Sequence, residues 1–385
     1  MRSAIEPIGQ RANPVVGSYP TPTEVVFLRC GEGLTGGAAD HDHQTKAAVA
    51  GAIATLLGCP FAGATSPPHK NGRLATSYVV PSHTLTIAEA RTMGIAYADR
   101  FFGGIVPRPY VATKLISHPL IARDAARPTG WVHRYGQLVR DAVLPGFSVF
   151  SHADALAAGE RLLEHAPLRV KEPDGVGGSG QHVVHDRGEL RACLDAIGAD
   201  RIAREGLVLE SHLEDVRTHS VGQVQVGSHR AAYVGTQRLT RNGHGLSVYG
   251  GSSLQVVRGD LAALRGLPLG ADQLNAIAQA SRYDAAAHEC FRGLVASRRN
   301  YDIATGTLGG RTVCGVLEQS WRIGGASGAE VAALHRLRDK PSLRSVRSRS
   351  YEIYDDVAVP PLAWVTFRGV DAHGHPLTKY VEVEE

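Results

Sequence analysis

The sequence predicts an α/β N-terminal domain, then a two-lobed α+β unit, then a β-rich tail. Three observations carry this reading. The chain has 385 residues, beyond the roughly 100–200 of one ordinary domain, so several cores are expected. Up to about residue 215, β-rich runs alternate with stretches of helical period. Beyond it the hydrophobic alternation turns to period two, the mark of antiparallel hairpins. The expected divisions are 1–125, 126–215, 216–338 and 339–385.

In the first region Thr23–Cys30 reads as a strand, followed by the Gly-rich turn GEGLTGG and an Ala-rich helix ending near Gly58–Pro60. Ser77–Pro81 is a second strand, and a helix is expected from about Thr86 to Arg100, with Thr84 or Thr86 as its cap. This strand–turn–helix–strand order predicts a parallel start. In the next region Leu144–Phe150, Leu168–Pro173 and Gly206–Leu213 read as strands, and Ser151 caps a helix running to about His165. Thr218–Gly227 and His229–Thr240 form a hairpin, Tyr249–Val257 a further strand, and Ala271–Ser297 a helix. Asn300–Gly306 and Thr312–Gly325 make a second hairpin, followed by a helix from about Ala329 to Leu337. The tail reads as a hairpin about the DAHGHP turn and is expected either to cover the site or to form the edge of a homodimer.

Composition narrows the function classes. Lys and Arg number 41 against 37 Asp and Glu, a net charge of +4, too small to point to nucleic acid or a membrane surface. The uncharged stretch Ala47–Ala64 is rich in Ala and Gly and contains Pro60, so a buried helix is expected there rather than a span. Five scattered cysteines without CxxC spacing suit a reducing cytoplasm. The first residues show no apolar run of a secretory leader.

The strongest chemical signal is Lys171 at a strand end, followed by the loop Gly175, Val176, Gly177, Gly178, Ser179, Gly180 and Gln181. Closely spaced glycines let backbone N–H groups converge on phosphate oxygens, and Lys171 adds a fixed positive charge. The loop lacks the GK[ST] ending of a Walker A motif, and no helix opens directly on it. Downstream, period two places Asp302 on one strand and Glu318, Ser320 and Arg322 on its partner, all toward one face. Two carboxylates with a hydroxyl are hard oxygen ligands suited to a magnesium ion that bridges nucleotide phosphates. Arg322 can then take charge on a transferring phosphoryl group.

This order of parts resembles the ATP-grasp superfamily of ligases over about residues 100–335. The resemblance implies that Lys171 and Lys114 contact ATP phosphates, and that Glu210, His212, Leu213 and Glu214 form the adenine hinge and its ribose side. It implies Asp302, Glu318 and Ser320 as magnesium ligands, with Arg322 and Lys171 as the catalytic cations. Gly324, Gly325 and Ser327 fall on the substrate side. Arg238 is read as a cation for phosphate or carboxylate, a solvated hairpin end being the competing reading. Two departures stand out: Ser320 occupies the place of the family's Asn, and Thr218 replaces the ribose-binding acid.

The N-terminal cluster is less specific. Gly31, Gly33 and Gly36 fit GxGxxG, yet no acidic residue stands about 20 positions on at the end of a second strand, as a dinucleotide site requires. Asp42 and His43 loosely match an acid–His pair of D-alanine ligases, which implies an acceptor pocket; a plain helix start and a metal site remain as alternatives. The expectation is an ATP- and Mg2+-dependent ligase that joins a small-molecule or peptide carboxylate to an amine or thiol through an acylphosphate. A phosphotransferase and a non-catalytic nucleotide-binding protein are its rivals.

Overall fold

A computed structural model describes residues 21–30, 40–66, 74–95, 98–173, 175 and 180–385. The described residues begin with β1 (Val25–Leu28), α1 (Asp40–Leu57), β2 (Phe61–Thr65) and β3 (Tyr78–Pro81), their strands forming a sheet in which β1 pairs parallel with both neighbours. The parallel start agrees with the sequence reading, although β2, the small-residue run after Pro60, was not expected. Next come β4 (Leu85–Thr86), α2 (Ile87–Thr92) and β5 (Gly104–Val106). Thr86 does cap α2, with Glu89 completing a capping box. The helix is shorter than expected because Gly94, at φ +74, turns the chain out of it.

After α3 (His133–Leu138) follow β6 (Gly146–Val149), α4 (His152–Leu163), β7 (Leu168–Lys171), β8 (Gln181–Val184), α5 (Arg187–Ile197), α6 (Ala199–Glu205) and β9 (Leu207–Ser211). Their strands form an antiparallel sheet in the order β6-β9-β7-β8. The apolar stripes of α4 and α5 meet this sheet in a core that includes Leu162, Leu190 and Leu209. Ser151 caps α4 by accepting from the Asp154 amide, as the sequence predicts.

The second lobe runs through β10 (Glu214–Val226), β11 (His229–Arg241), β12 (Ser247–Arg258), α7 (Ala271–Cys290), β13 (Val295–Ala296), β14 (Arg298–Leu308), β15 (Arg311–Ser320) and α8 (Ser327–Asp339). Helix α7 stops short of Ser297 because Gly293, at φ +89, releases the chain, and β13 then pairs with β5 of the N-terminal region. The tail supplies β16 (Ser345–Ile353), β17 (Trp364–Val370) and β18 (Pro376–Glu384).

These tail strands are not a separate appendage. They continue the lobe's sheet in the order β15-β14-β10-β11-β12-β16-β18-β17. One face packs on α7 through Val221, Ala232 and Tyr301. The other packs on α8 and α1 through Val224, Leu254, Val346 and Val381. A single core therefore joins the tail to α1. Gly104 marks how closely β5 approaches the turn after β15: a Cβ there would lie 2.6 Å from Trp321 Cβ and 3.0 Å from its carbonyl.

Candidate active site

The antiparallel pairing of β14 and β15 puts Asp302 directly opposite Glu318, and Asn300 opposite Ser320. Just beyond, Ile303 pairs with Val316, so Leu317 is an inserted bulge residue beside the acid row. Ser220 of β10 pairs with Asp302 on the other side. The row shares its sheet face with α8, since Tyr233, paired with Gly222, reaches Glu330 of that helix with its hydroxyl at 2.6 Å.

Asp302 is fixed by three donors. Ser220 Oγ (3.1 Å), Gln237 Nε2 (2.9 Å) and Asn300 Nδ2 (3.0 Å) all donate to Oδ1. Oδ2 has no such partner among the described residues and is the atom left for a ligand. Burial, and then the neighbouring Glu318, push the Asp302 carboxyl above its ordinary range despite those hydrogen bonds. Two carboxylates held together at this cost suit a bound cation.

Lys114, only 4% exposed, ties the lobes together. Its ammonium donates to the carbonyls of Glu172 (3.3 Å) and Gly175 (2.8 Å) on the Gly-rich loop and lies 3.0 Å from Glu318 Oε2. Lys171 is equally buried and pairs with Glu210 Oε1, while His118 Nε2 lies 3.2 Å from Glu210 Oε2. Burial alone would raise the Glu210 carboxyl, but Lys171 and His118 hold it down to about 2. Arg322 lies past the end of β15, and among the described residues its guanidinium makes one hydrogen bond, to the Ile323 carbonyl at 3.1 Å. Burial and the like charge of Arg298 lower its pKa, while Glu318, Asp42 and Asp302 act against them.

The sequence matches the family described as "Protein of unknown function (DUF3182)" over residues 32–381. The chain belongs to that family. None of the curated proteins matches it. Among solved structures, the DUF3182 chain is similar to N5-carboxyaminoimidazole synthetase from Staphylococcus aureus complexed with ADP. The two are 11% identical with a TM-score of 0.58, over 94% of this chain and 93% of that one. It is also similar to N5-carboxyaminoimidazole synthase from Aspergillus clavatus, in complex with ADP and 5-aminoimidazole ribonucleotide. There the identity is 14% and the TM-score 0.52, over 94% and 93% of the two chains. The DUF3182 protein has the ATP-grasp fold.

Asp302, Glu318, Ser320, Arg322, Lys114 and Gly175 of this DUF3182 protein lie close to one another. The other expected residues are placed as follows. Gly177, Gly178 and Ser179 lie outside the described residues, as does the GEGLTGG turn. Glu210 faces inward onto Lys171 and His118, so its carboxylate orients a lysine. His212 and Leu213 form the link from β9 to β10 and thus between the lobes, with Glu214 exposed at the start of β10. Arg169 bridges His212 Nδ1 (3.1 Å) to Gln181 Oε1 (3.3 Å). Gly180, at φ +63, returns the loop to β8, its carbonyl accepting from the Glu172 amide at 2.9 Å.

Of the residues expected on the substrate side, Ser327 is fully buried and accepts from the Gly324 amide at 3.0 Å, bracing the turn. The Tyr249 ring packs on Gly325, where a Cβ would meet it at 2.5 Å. Asp42 pairs with Lys46 at 2.6 Å, whereas the His43 ring lies against Phe27. Arg238 is stacked over the Tyr351 ring at 4.4 Å and donates to the Ser350 carbonyl at 3.3 Å.

Sequence reading missed Asn300, Gln237 and Arg298. Asn300 stands two positions before Asp302, so period two alone could have found it. Arg298 donates to the carbonyls of Ser320 (3.0 Å) and Arg322 (2.5 Å) and to Ser320 Oγ (3.3 Å), holding the strand end that presents the site. Among the described residues no group of three His, Cys, Asp or Glu side chains is arranged to hold a metal ion, and no helix is long and apolar enough to cross a membrane.

Proposed function

We propose that the chain is an ATP- and magnesium-dependent ligase that activates a small-molecule or peptide carboxylate as an acylphosphate and passes it to an amine or thiol. The observation that carries this is the Asp302–Glu318 pair across β14 and β15, with Lys114 joining it to the Gly-rich loop of the other lobe. Magnesium, held by Asp302 Oδ2 and Glu318 with Ser320 nearby, would neutralise charge on the nucleotide phosphates. Lys114 uses its donors on loop carbonyls and Glu318. An incoming phosphate competes for that ammonium and so frees Glu318. Lys171, aimed by Glu210, adds a second positive charge, and Arg322 meets the transferring phosphoryl group. Such chemistry is mostly positioning and electrostatics and requires no protein nucleophile.

The test is ADP release from Mg-ATP across a panel of carboxylates and amines. Lys171→Ala, Asp302→Asn and Glu318→Gln should each lower it by about 100-fold or more. Normal turnover in all three would remove the assignment. A stable phosphorylated product, seen by mass, would instead mean a phosphotransferase. The Ser320 hydroxyl, taken up by Arg298, favours the second rival, a nucleotide-binding protein, which tight ATP binding without turnover would reveal.

A further inference from the structure

Between α1, the Gly324–Gly325 turn and the tail strands lies a pocket of about 510 Å³ of empty space, its open mouth included. Water-sized molecules reach about 50 Å³ of it, room for a few waters or a small polar molecule. Its walls come from distant parts of the chain: Asp42 and Lys46 of α1, Tyr249 of β12, Ser350 and Glu352 of β16, and Lys379 of β18. Two ion pairs line it, Asp42 with Lys46 at 2.6 Å and Glu352 with Lys379 at 3.0 Å. The two lysine side chains are only 13% and 8% exposed.

An ammonium has three donors. Among the described residues each lysine uses one, on its own carboxylate. Each lysine therefore keeps donors that the acceptor oxygens of a ligand can take in place of solvent. Asp42 Oδ1 also has no hydrogen-bond partner among the described residues, which leaves an acceptor for a cationic group. Burial favours the protonated Asp42, yet Lys46, Lys379 and Arg322 keep its carboxyl below the ordinary range, so it stays ionised.

Two carboxylates against two ammoniums leave the lining without net charge, and a polyanion would meet both carboxylates unfavourably. The aromatic lining is closed as well. Tyr351 stacks on Tyr380 at 4.5 Å and 11°, and Arg238 covers Tyr351 from 4.4 Å. A nucleobase would therefore find Tyr351 already stacked.

We propose that this pocket binds a small zwitterion of the amino-acid type, its carboxylate taken by Lys46 and Lys379 and its ammonium by Asp42 and Glu352. The assignment of this zwitterion as a substrate rests on the ligase reading. Arg322 lies within charge range of Asp302, Glu318 and Asp42 and directly precedes Ile323 and Gly324 of the pocket wall, so the pocket adjoins the place where phosphoryl transfer would occur.

The experiment is calorimetric titration of the intact wild-type chain with glycine, alanine, serine and aspartate, their N-acetyl and methyl ester forms, and ribose 5-phosphate, each with and without Mg-ATP. At least one free amino acid should bind about tenfold or more tightly than either of its capped forms, as expected for losing a hydrogen bond to a charged group. The double variant Glu352→Gln/Lys379→Met removes one pair together, leaving no lone buried charge, and should weaken that binding by a similar factor at an unchanged circular dichroism spectrum. Tighter binding of ribose 5-phosphate, no preference for the uncapped amino acid, or wild-type binding by the folded double variant would each overturn the proposal. Amino acid binding without any ATP binding would sink the nucleotide reading and leave this one standing. ATP binding with no response to any amino acid would do the reverse.

Discussion

Glu210 lies between Lys171 and His118 at 1% exposure, and the direction of its shift determines how acid acts on the fold. Its carboxyl, ordinarily at 4.5, is lowered to about 2, burial opposing and Lys171 and His118 prevailing. A group with a depressed folded pKa contributes stability that is complete above its unfolded value and lost as pH falls through the folded one. The contribution should therefore fade from pH 4.5 down to about 2. Acid titration followed by circular dichroism checks this, because Glu210→Gln should flatten the loss in that window. At pH 7 the same variant leaves Lys171 buried and unpaired, and urea melts should show a destabilisation of about 3–5 kcal/mol. A change well under 1 kcal/mol would mean that the pair is not the lysine's anchor. Residue type and strand position marked Lys171 in the sequence. The inward role of Glu210 was not legible, because a carboxylate at a strand end reads the same whether it faces a lysine or a ligand.

At the scale of elements, α8 is bolted to the end of β15 through one buried pair. Arg298 binds Glu330 with both arms, at 2.9 and 2.7 Å, and with its remaining nitrogen holds the Ser320 and Arg322 carbonyls. The Tyr233 hydroxyl is within hydrogen-bond reach of both Glu330 Oε1 and Asn300 Oδ1, so the network reaches the acid row itself. Arg298→Met alone strands Glu330 in the core and should cost about 3–5 kcal/mol in denaturant melts. The double variant Arg298→Met/Glu330→Gln should recover much of that stability. It should still release ADP slowly, because Arg298 then no longer holds the Ser320 and Arg322 carbonyls. Full activity in the folded double variant would assign the pair to stability alone. The hairpin of β14 and β15 was readable from alternation, and so was the pairing face of Asp302 and Glu318. The bulge at Leu317 was not, since a one-residue insertion shows only once a partner strand sets the register.

Across the whole molecule, the tail closes the large sheet and α1 packs against it. Val346 and Val381 share a core with Val49 and Ile53 of α1 and Leu334 of α8. Truncation after Lys340 would strip three strands from that core, so the shortened chain should lose its cooperative thermal transition. A sharp melt in the truncated chain would show instead that the tail is an independent unit. The same packing sets Lys379 and Glu352 opposite Asp42 and Lys46, more than 300 residues apart in the chain, and so builds the proposed zwitterion pocket.

By itself the sequence determined most strand and helix types, the capped start at Ser151 and a cap at Thr84 or Thr86, and the period-two face that carries Asp302 and Glu318. These follow from short-range geometry, where side-chain direction is fixed by position along one strand or one helix turn. Only the tertiary structure decided that Arg238 turns to Tyr351, that Lys114 joins the two lobes, and that the tail is part of the sheet. Those outcomes depend on which distant residues share a core, and a buried charge takes its role from the partner that packing brings to it.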